Sequence, residues 1–179
     1  GASAQDPSIT CPQGDQYIIP DSAQNLLLEP TDSAVSEGSI ITISVPQNKP
    51  SQMWLFEPCE EGFVVIHPSS AKQLAITVAD NNTNNGTRLV LSEYRNTDGQ
   101  KWRIKQNSFG GCSILSKLDL KKGIDDLGGA KQPGAQIDLW DYNMGDEHLQ
   151  WNIAPVKDGF PVELPQGKLL EGDYTQSKI

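Results

Sequence analysis

The sequence lacks any apolar run near the roughly 20 residues needed to cross a membrane, and positive charge is scarce. Lys and Arg total 14 against 23 Asp and Glu, which gives a formal net charge of −9. Binding to nucleic-acid phosphates needs clustered positive charge, so we expect neither a nucleic-acid partner nor membrane insertion. With 179 residues, 36% of them hydrophobic, the chain can form one domain with a sizeable core.

Cysteine and histidine are also scarce. The chain has three cysteines, Cys11, Cys59 and Cys112, two histidines, His67 and His148, and no Cys-x-x-Cys spacing. A zinc site would have few ligands at metal-binding spacing, so we expect neither a metal nor another cofactor. Three cysteines cannot all pair, which leaves one disulfide with a free thiol, or three thiols.

Two features bear on the compartment. The first residues, Gly-Ala-Ser-Ala-Gln-Asp, contain an Ala-x-Ala pattern of the kind found at signal-peptide cleavage sites. Two Asn-x-Thr sequons begin at Asn81 and Asn85, and they matter only in a host that glycosylates. We therefore expect a secreted or cell-surface protein.

A repeat of 48 residues organises the chain. Trp54 and Trp102 are 48 residues apart, and Trp151 follows 49 residues later, so the third copy contains one inserted residue. Such a fixed period indicates a repeat architecture. The units span residues 17–62, 63–110 and 111–156, between an N-terminal extension (1–16) and a C-terminal extension (157–179). Five sets of residues keep the interval in all three copies: Gly38/Gly86/Gly134, Ile18/Ile66/Ile114, Leu28/Ile76/Ile124, Ile41/Leu89/Ile137 and Ile43/Leu91/Leu139.

The C-terminal extension contains a short segment that is similar to part of the second repeat. The segment from Gly159 to Pro165 resembles the segment from Gly62 to Pro68. It is compatible with an external hairpin, the vestige of a fourth repeat or a link to an additional domain or protein partner.

Each unit has the pattern of short strands. The segment around Ile41 and Ile43 alternates apolar and polar residues, as a half-buried strand does, and the preceding glycines are turn signals. Long helical periodicity is missing. Four strands in each of three units predict about twelve strands in an all-β chain, and three-fold repetition favours a closed barrel without exposed edges.

Three motifs carry a resemblance to a known family. Gln52-Met53-Trp54 and Gln100-Lys101-Trp102 resemble the Q-x-W signature of ricin B-type (R-type) lectins, with Leu149-Gln150-Trp151 as a degraded third copy. This resemblance implies a β-trefoil fold and sugar binding by up to three pockets, one per repeat. The usual disulfide within a repeat is missing, because Gly123 and Tyr142 stand where the family has cysteines.

The repeats also predict which side chains face away from the core. Strand side chains alternate, so Asp138 and Trp140, beside the repeated aliphatic positions, should face outward, and so should Asp125 after Ile124. A pyranose packs its C–H face on an aromatic ring while its hydroxyls need polar partners. In the family, the acidic residue matching Asp125 holds sugar hydroxyls. We also expect polar contacts from Asn143 and His148 in the loop after Trp140.

Simpler roles are open for the same residues. Trp140 could cover a satellite cluster, the Asp125 region could merely end a strand before a turn, and Asn143 and His148 could be solvated. Leu149 replaces the family glutamine in the repeat that keeps Trp140. The corresponding outward positions offer no aromatic ring in the first repeat (Glu29, Thr42 and Ser44) or the second (Thr77, Val90 and Ser92).

We therefore expect a lectin-like module without catalytic activity that binds a neutral sugar mainly through the third repeat. A glycosidase would need two carboxylates on opposite sides of the scissile bond, whereas Asp125 and Asp138 would share one open face. The alternative is a β-trefoil scaffold for protein contact, such as a protease inhibitor, without sugar binding.

Overall fold

The structure is a computed structural model that describes residues 11–108 and 110–157. These residues form twelve strands and no α-helix, as the repeat predicted, and eight three-residue 3-10 turns join them. No helix among them is long and apolar enough to cross a membrane. The strands are β1 (Gln16–Pro20), β2 (Leu27–Pro30), β3 (Ile41–Ser44), β4 (Trp54–Pro58), β5 (Val64–Pro68), β6 (Leu74–Val78), β7 (Thr87–Glu93), β8 (Trp102–Gln106), β9 (Cys112–Ser116), β10 (Asp119–Asp126), β11 (Ile137–Asp141) and β12 (Trp151–Pro155). The 3-10 turns are Asp21–Ala23, Thr31–Ser33, Pro50–Gln52, Glu60–Gly62, Ala79–Asn81, Asp98–Gln100, Leu127–Gly129 and Glu147–Leu149.

The first and last strands of each repeat close a six-stranded barrel. Its antiparallel order is β1-β4-β5-β8-β9-β12, and β12 pairs back onto β1. The two middle strands of each repeat form a separate antiparallel pair: β2–β3, β6–β7 and β10–β11. Barrel closure leaves these strands without an exposed edge. A six-stranded barrel with three strand pairs is the β-trefoil that the sequence predicted.

Three tryptophans hold equivalent places where the barrel meets the strand pairs. Trp54, Trp102 and Trp151 are completely buried. Their indole N–H groups donate to the carbonyl oxygens of Leu28, Ile76 and Ile124, at 3.1, 3.1 and 2.8 Å. The repeated aliphatic positions of β3, β7 and β11 are also fully buried, which confirms the predicted core face.

A ring of backbone hydrogen bonds joins the repeats to one another. Gly38, Gly86 and Gly134 donate their N–H groups to Leu91, Leu139 and Ile43 of a neighbouring repeat, at 2.7, 2.8 and 2.9 Å. Each glycine has a positive φ of 85–95°, which residues with a Cβ rarely adopt. The repeated glycine is therefore required by the backbone at each junction between repeats.

The cysteines are three free thiols, so the disulfide alternative is not realised. Cys112 is buried in the core, and its burial raises the pKa of the thiol to about 12. Cys11 and Cys59 are half-buried. The segment from Gly159 to Pro165, which resembles Gly62 to Pro68, lies outside the described residues.

The equivalence of the three tryptophans can be tested by removing one hydrogen bond at a time. Trp54→Phe, Trp102→Phe and Trp151→Phe each leave a buried carbonyl unpaired, which costs about 1–3 kcal/mol before any loss of packing. We expect three similar decreases in the free energy of unfolding, measured by urea denaturation. Trp140→Phe, at a half-buried site, should cost less than about 1 kcal/mol. A negligible loss at one of the three buried sites would show that the repeats are not energetically equivalent.

Candidate functional site

Two predicted site residues face each other across the third strand pair. The register of β10 and β11 places Asp125 directly opposite Asp138, and neither side chain has any solvent exposure. Asp125 Oδ2 and Asp138 Oδ1 meet no N–H or hydroxyl donor within the described residues. Instead, the two carboxyl groups face each other across the strand pair, and this neighbour together with burial raises the pKa of Asp138. The site is therefore built on two buried, adjacent carboxyl groups.

His148 and Gln136 extend this pair at its two ends. His148 Nδ1 hydrogen-bonds to Asp125 Oδ1, and Gln136 Nε2 donates to Asp138 Oδ2 at 2.9 Å. The other ring nitrogen of His148 lies 3.6 Å from Asp146 Oδ2. One oxygen of each buried carboxyl group therefore has a polar side-chain partner. The imidazole of His148 reaches the surface, with a side chain 30% exposed.

Burial determines the protonation state of Asp138. Desolvation, followed by the hydrogen bond to Asp125, raises the pKa of Asp138 to about 8, although the charge of Arg88 on the neighbouring strand β7 opposes the shift. Asp126 points the other way along β10 and accepts a hydrogen bond from Ser22 Oγ at 2.7 Å. Burial raises the pKa of Asp126 to about 6. Near neutral pH, Asp138 is therefore the protonated partner.

Trp140 lies two residues beyond Asp138 on the same face of β11. Its side chain is half-buried and packs over the turn at Gly86, where a Cβ atom would come within 3.9 Å of the indole. Beside it, Asn85 bridges Asp141 and Lys122: Asn85 Nδ2 donates to Asp141 Oδ2 at 3.0 Å, and Lys122 Nζ donates to Asn85 Oδ1 at 3.0 Å. The indole therefore sits at a polar surface rather than in the core.

The structure brings together some of the predicted site residues and separates another. Asp125, Asp138 and His148 lie together: His148 hydrogen-bonds to Asp125, and Asp125 faces Asp138. Trp140 is on the same strand pair. Asn143 does not join them, because it is exposed and its side chain accepts a hydrogen bond from Gly145 N at 3.2 Å.

The prediction that Asp125 and Asp138 face an open surface is wrong. Alternation places both away from the barrel core, but cross-strand pairing and the His148 loop cover them. The alternative that the Asp125 region ends a strand before a turn is confirmed in part, since β10 ends at Asp126 immediately before the 3-10 turn Leu127–Gly129.

The first repeat fills the equivalent place with a satisfied ion pair. Glu29, which faces Thr42 across β2 and β3, accepts hydrogen bonds from Ser51 and Gln52, and Lys49 Nζ lies 3.2 Å away. Burial acts to raise the pKa of Glu29, but these partners outweigh it and hold the pKa below its usual value. The carboxylate of Glu29 is therefore bonded by side chains of its own repeat.

The second repeat has no carboxylate at the equivalent place. Thr77 faces Val90 across β6 and β7. Its hydroxyl donates to the carbonyl of Ala75 and accepts from Gln100 Nε2 at 3.2 Å. This repeat offers neither charge nor an aromatic ring.

Leu149 changes how the loop of the third repeat is held. In the first two repeats, Gln52 and Gln100 bind the loop before them through one backbone N–H and one carbonyl each. Leu149 is buried in the matching place and offers no polar atom. The preceding residue, His148, reaches Asp125 instead, so an imidazole ties this loop to the strand pair.

Sequence reasoning missed Gln136 and Arg88. Gln136 lies two residues before Asp138, so strand alternation alone would have placed it on the same face. The position of Arg88 follows from the pairing of β11 with β7 of another repeat, and no local sequence pattern signals that pairing.

Comparisons with known proteins agree with this geometry. The family model described as a ricin-type beta-trefoil lectin domain-like family matches residues 52–140. No curated protein matches the sequence. A designed three-fold symmetric protein, ThreeFoil, superposes with a TM-score of 0.75 at 17% identity, covering 80% of this chain and 100% of its own.

Two natural proteins of known structure share the fold. The C-terminal half of an earthworm R-type lectin, solved in complex with GalNAc, gives a TM-score of 0.60 at 19% identity and covers 79% of this chain and 98% of its own. An exo-β-1,3-galactanase from Clostridium thermocellum gives 0.73 at 20% identity and covers 82% of this chain. This chain spans 31% of that enzyme's length. Fold, repeat motifs and family model agree: residues 52–140 match the ricin-type β-trefoil lectin-like family, and the described residues share the fold of these solved structures.

Proposed function

We propose that this protein is a carbohydrate-binding module that binds one sugar at its third repeat. The observation that carries the proposal is the half-buried ring of Trp140, on the strand pair where Asp125 faces Asp138 and is bonded by His148. The equivalent positions of the other repeats carry serine, which cannot offer a stacking surface. The lectin complexed with GalNAc supports the ligand class.

In this proposal the side chains have different tasks. The indole of Trp140 packs against the C–H face of a pyranose. His148 supplies a hydrogen-bonding ring nitrogen, because Asp125 engages its other nitrogen and so fixes the orientation of the imidazole. Asp138, buried and protonated, holds Asp125 in place. The carboxylates act on the sugar through His148 rather than by direct contact.

Charge around the site favours a neutral ligand. Asp141 and Asp146 lie at the rim, and the chain carries a net charge of −9. A sulfated or sialylated sugar would approach like charge, which is unfavourable. We therefore propose galactose or a related neutral sugar, bound outside the cytoplasm by a module without catalytic activity.

The alternative function is a scaffold for protein contact. It is favoured by the burial of the carboxyl pair, because neither Asp125 nor Asp138 presents an oxygen to solvent. A glycan array run beside a protease-inhibition panel separates the two functions. Inhibition of a protease without any glycan signal would reverse the ranking.

Trp140→Ala should weaken sugar binding about ten- to a hundred-fold, because it removes the stacking face and its buried apolar area. The other three tryptophans are fully buried, so a change in intrinsic fluorescence on titration with GalNAc or galactose reports mainly on Trp140. Isothermal titration calorimetry provides the affinities of the variants.

Ser92→Ala, at the equivalent position of the second repeat, is the matched control and should bind sugar like the unmodified chain. If Ser92→Ala lost binding while Trp140→Ala kept it, the proposed assignment of the site to the third repeat would be wrong. If neither sugar bound the unmodified chain, the proposal would fail.

Asp138→Asn should flatten the dependence of stability on pH. The carboxyl of Asp138 stays protonated up to about pH 8 in the folded state but ionises near pH 4 when unfolded. The folded state then binds more protons over this range, so the free energy of unfolding falls as pH rises from about 4 to about 8. The limiting slope is about 1.4 kcal/mol per pH unit. An asparagine amide can donate to Asp125 without a titrating proton.

The diagnostic window is pH 6 to 8, since Asp126, with its pKa of about 6, contributes mainly below it. Urea denaturation should show a falling free energy of unfolding for the unmodified chain and a nearly level one for Asp138→Asn. The exposed Asp141 provides the control, because partners lower its pKa, so Asp141→Asn should keep the unmodified slope in this window. Equal slopes for all three proteins would contradict a protonated Asp138.

A further inference from the structure

The turn before β7 belongs to the second repeat, yet it is bonded to β11 on both sides of Trp140. Gly86 N–H donates to the carbonyl of Leu139 at 2.8 Å. Asn85 Oδ1 accepts a hydrogen bond from the backbone N–H of Asp141 at 2.9 Å, and Asn85 Nδ2 donates to Asp141 Oδ2 at 3.0 Å. The residues directly before and after Trp140 are therefore both held by a turn of the neighbouring repeat.

Asn85 also reaches the other strand of the third pair. Lys122 on β10 lies opposite Asp141 in the register. Its Nζ donates to Asn85 Oδ1 at 3.0 Å and lies 3.3 Å from Asp141 Oδ1. The hydrogen bond from Asn85, followed by that from Lys122, lowers the pKa of Asp141, so the carboxylate is ionised near neutral pH and accepts both bonds. We call Asn85, Lys122 and Asp141 the junction triad.

The indole of Trp140 packs on the turn that the junction triad holds. A Cβ atom at Gly86 would come within 3.9 Å of the ring, and Asn85 is the residue directly before Gly86. Because both residues of the turn are bonded to β11, the surface beside the ring cannot shift without losing these bonds. A side chain that packs on a fixed surface has less rotamer freedom left to lose when a ligand arrives.

The other two junctions between repeats lack such a triad, although the glycine bond is present at all three. The equivalents of Asn85, Lys122 and Asp141 are Glu37, Leu74 and Glu93 at one junction and Pro133, Leu26 and Val45 at the other. Glu37 and Glu93 offer acceptors without a donor, and Glu93 pairs with Arg95 at 3.1 Å instead. Pro133 and Val45 have no polar side-chain atom. The fold therefore forms its junctions without these side-chain bonds, and the triad stands at the junction that carries Trp140.

We propose that Asn85 is a positioning residue of the sugar site, which orders the indole of Trp140 by holding the turn on which it packs. The sugar as ligand rests on the proposed function, whereas the role of Asn85 rests on its bonds to Asp141 and Lys122. The site is then shared between two repeats. The second repeat offers no aromatic ring of its own and instead supplies the support for the ring of the third.

The test compares sugar affinity with the indole N–H signals of the ¹⁵N-labelled chain. Asn85→Ala removes all the side-chain bonds of this amide, and we expect isothermal titration calorimetry with GalNAc or galactose to show binding about two- to ten-fold weaker. The Trp140 Nε1–H signal, identified by its absence from Trp140→Phe, should shift or broaden. The signals of Trp54, Trp102 and Trp151, which are fully buried, should stay in place and show that the variant is folded.

A charge-conserving exchange separates positioning from direct contact between Asn85 and the sugar. Asn85→Asp alone sets a second carboxylate against Asp141 and should weaken binding as Asn85→Ala does. Asn85→Asp combined with Asp141→Asn reverses the donor and the acceptor of this bond at the same net charge. It should restore the affinity to within about two-fold of the unmodified chain. A loss that the exchange did not restore would contradict positioning through Asp141.

Asn84→Ala is the matched control, because it makes the same substitution one residue earlier in the turn. The bonds of Asn84 involve its backbone: its N–H donates to Asn82 Oδ1, and its carbonyl accepts from Thr87 Oγ1. We expect the affinity and the Trp140 signal of this variant to be unchanged. Equal affinities for Asn84→Ala, Asn85→Ala and the unmodified chain, or a Trp140 signal that does not move in Asn85→Ala, would overturn the positioning role and leave the proposed function standing. Binding of neither sugar by the unmodified chain would overturn both.

Discussion

The hydrogen bond from a buried indole to a strand carbonyl is the contact on which the rest of this structure depends. It occurs three times and joins the first residue of a barrel strand to the strand pair of the same repeat. A buried indole N–H without a partner is costly, so each tryptophan fixes the height and tilt of one strand pair above the barrel. The glycine-mediated bonds then fix each pair against the next.

This arrangement separates scaffold positions from variable ones. The inward side of each strand pair is committed to the core and stays aliphatic in all three copies. The outward side carries no such constraint, and there the repeats diverge to Glu29 with Thr42, Thr77 with Val90, and Asp125 with Asp138. Local alternation could predict this division because both the period of the strand and the period of the repeat are visible in the sequence.

Alternation could not predict what covers the outward side. It correctly placed Asp125 and Asp138 away from the core, but their burial depends on each other and on His148, which arrives from a loop 23 residues beyond Asp125. For the same reason, alternation could not predict that Arg88 lies beside Asp138, because this depends on the pairing of β11 with β7. The twelve strands and the equivalence of the tryptophans were predictable from the sequence, whereas the contacts made by loops and between repeats were not.

The third repeat departs from the other two at several linked positions. The first repeat neutralises its buried acid with Lys49 and hydrogen-bonds it with Gln52, which is the arrangement expected of a structural ion pair. The third repeat instead keeps two carboxyl groups together with a retained proton, replaces the loop-holding glutamine with Leu149 and leaves an indole half-buried at the surface. Departures from locally favourable chemistry concentrate at functional sites, and here they fall within one strand pair and its adjoining loop. Divergence from the three-fold pattern is therefore the physical reason why we propose binding in this repeat, because the other two copies show what the fold alone requires.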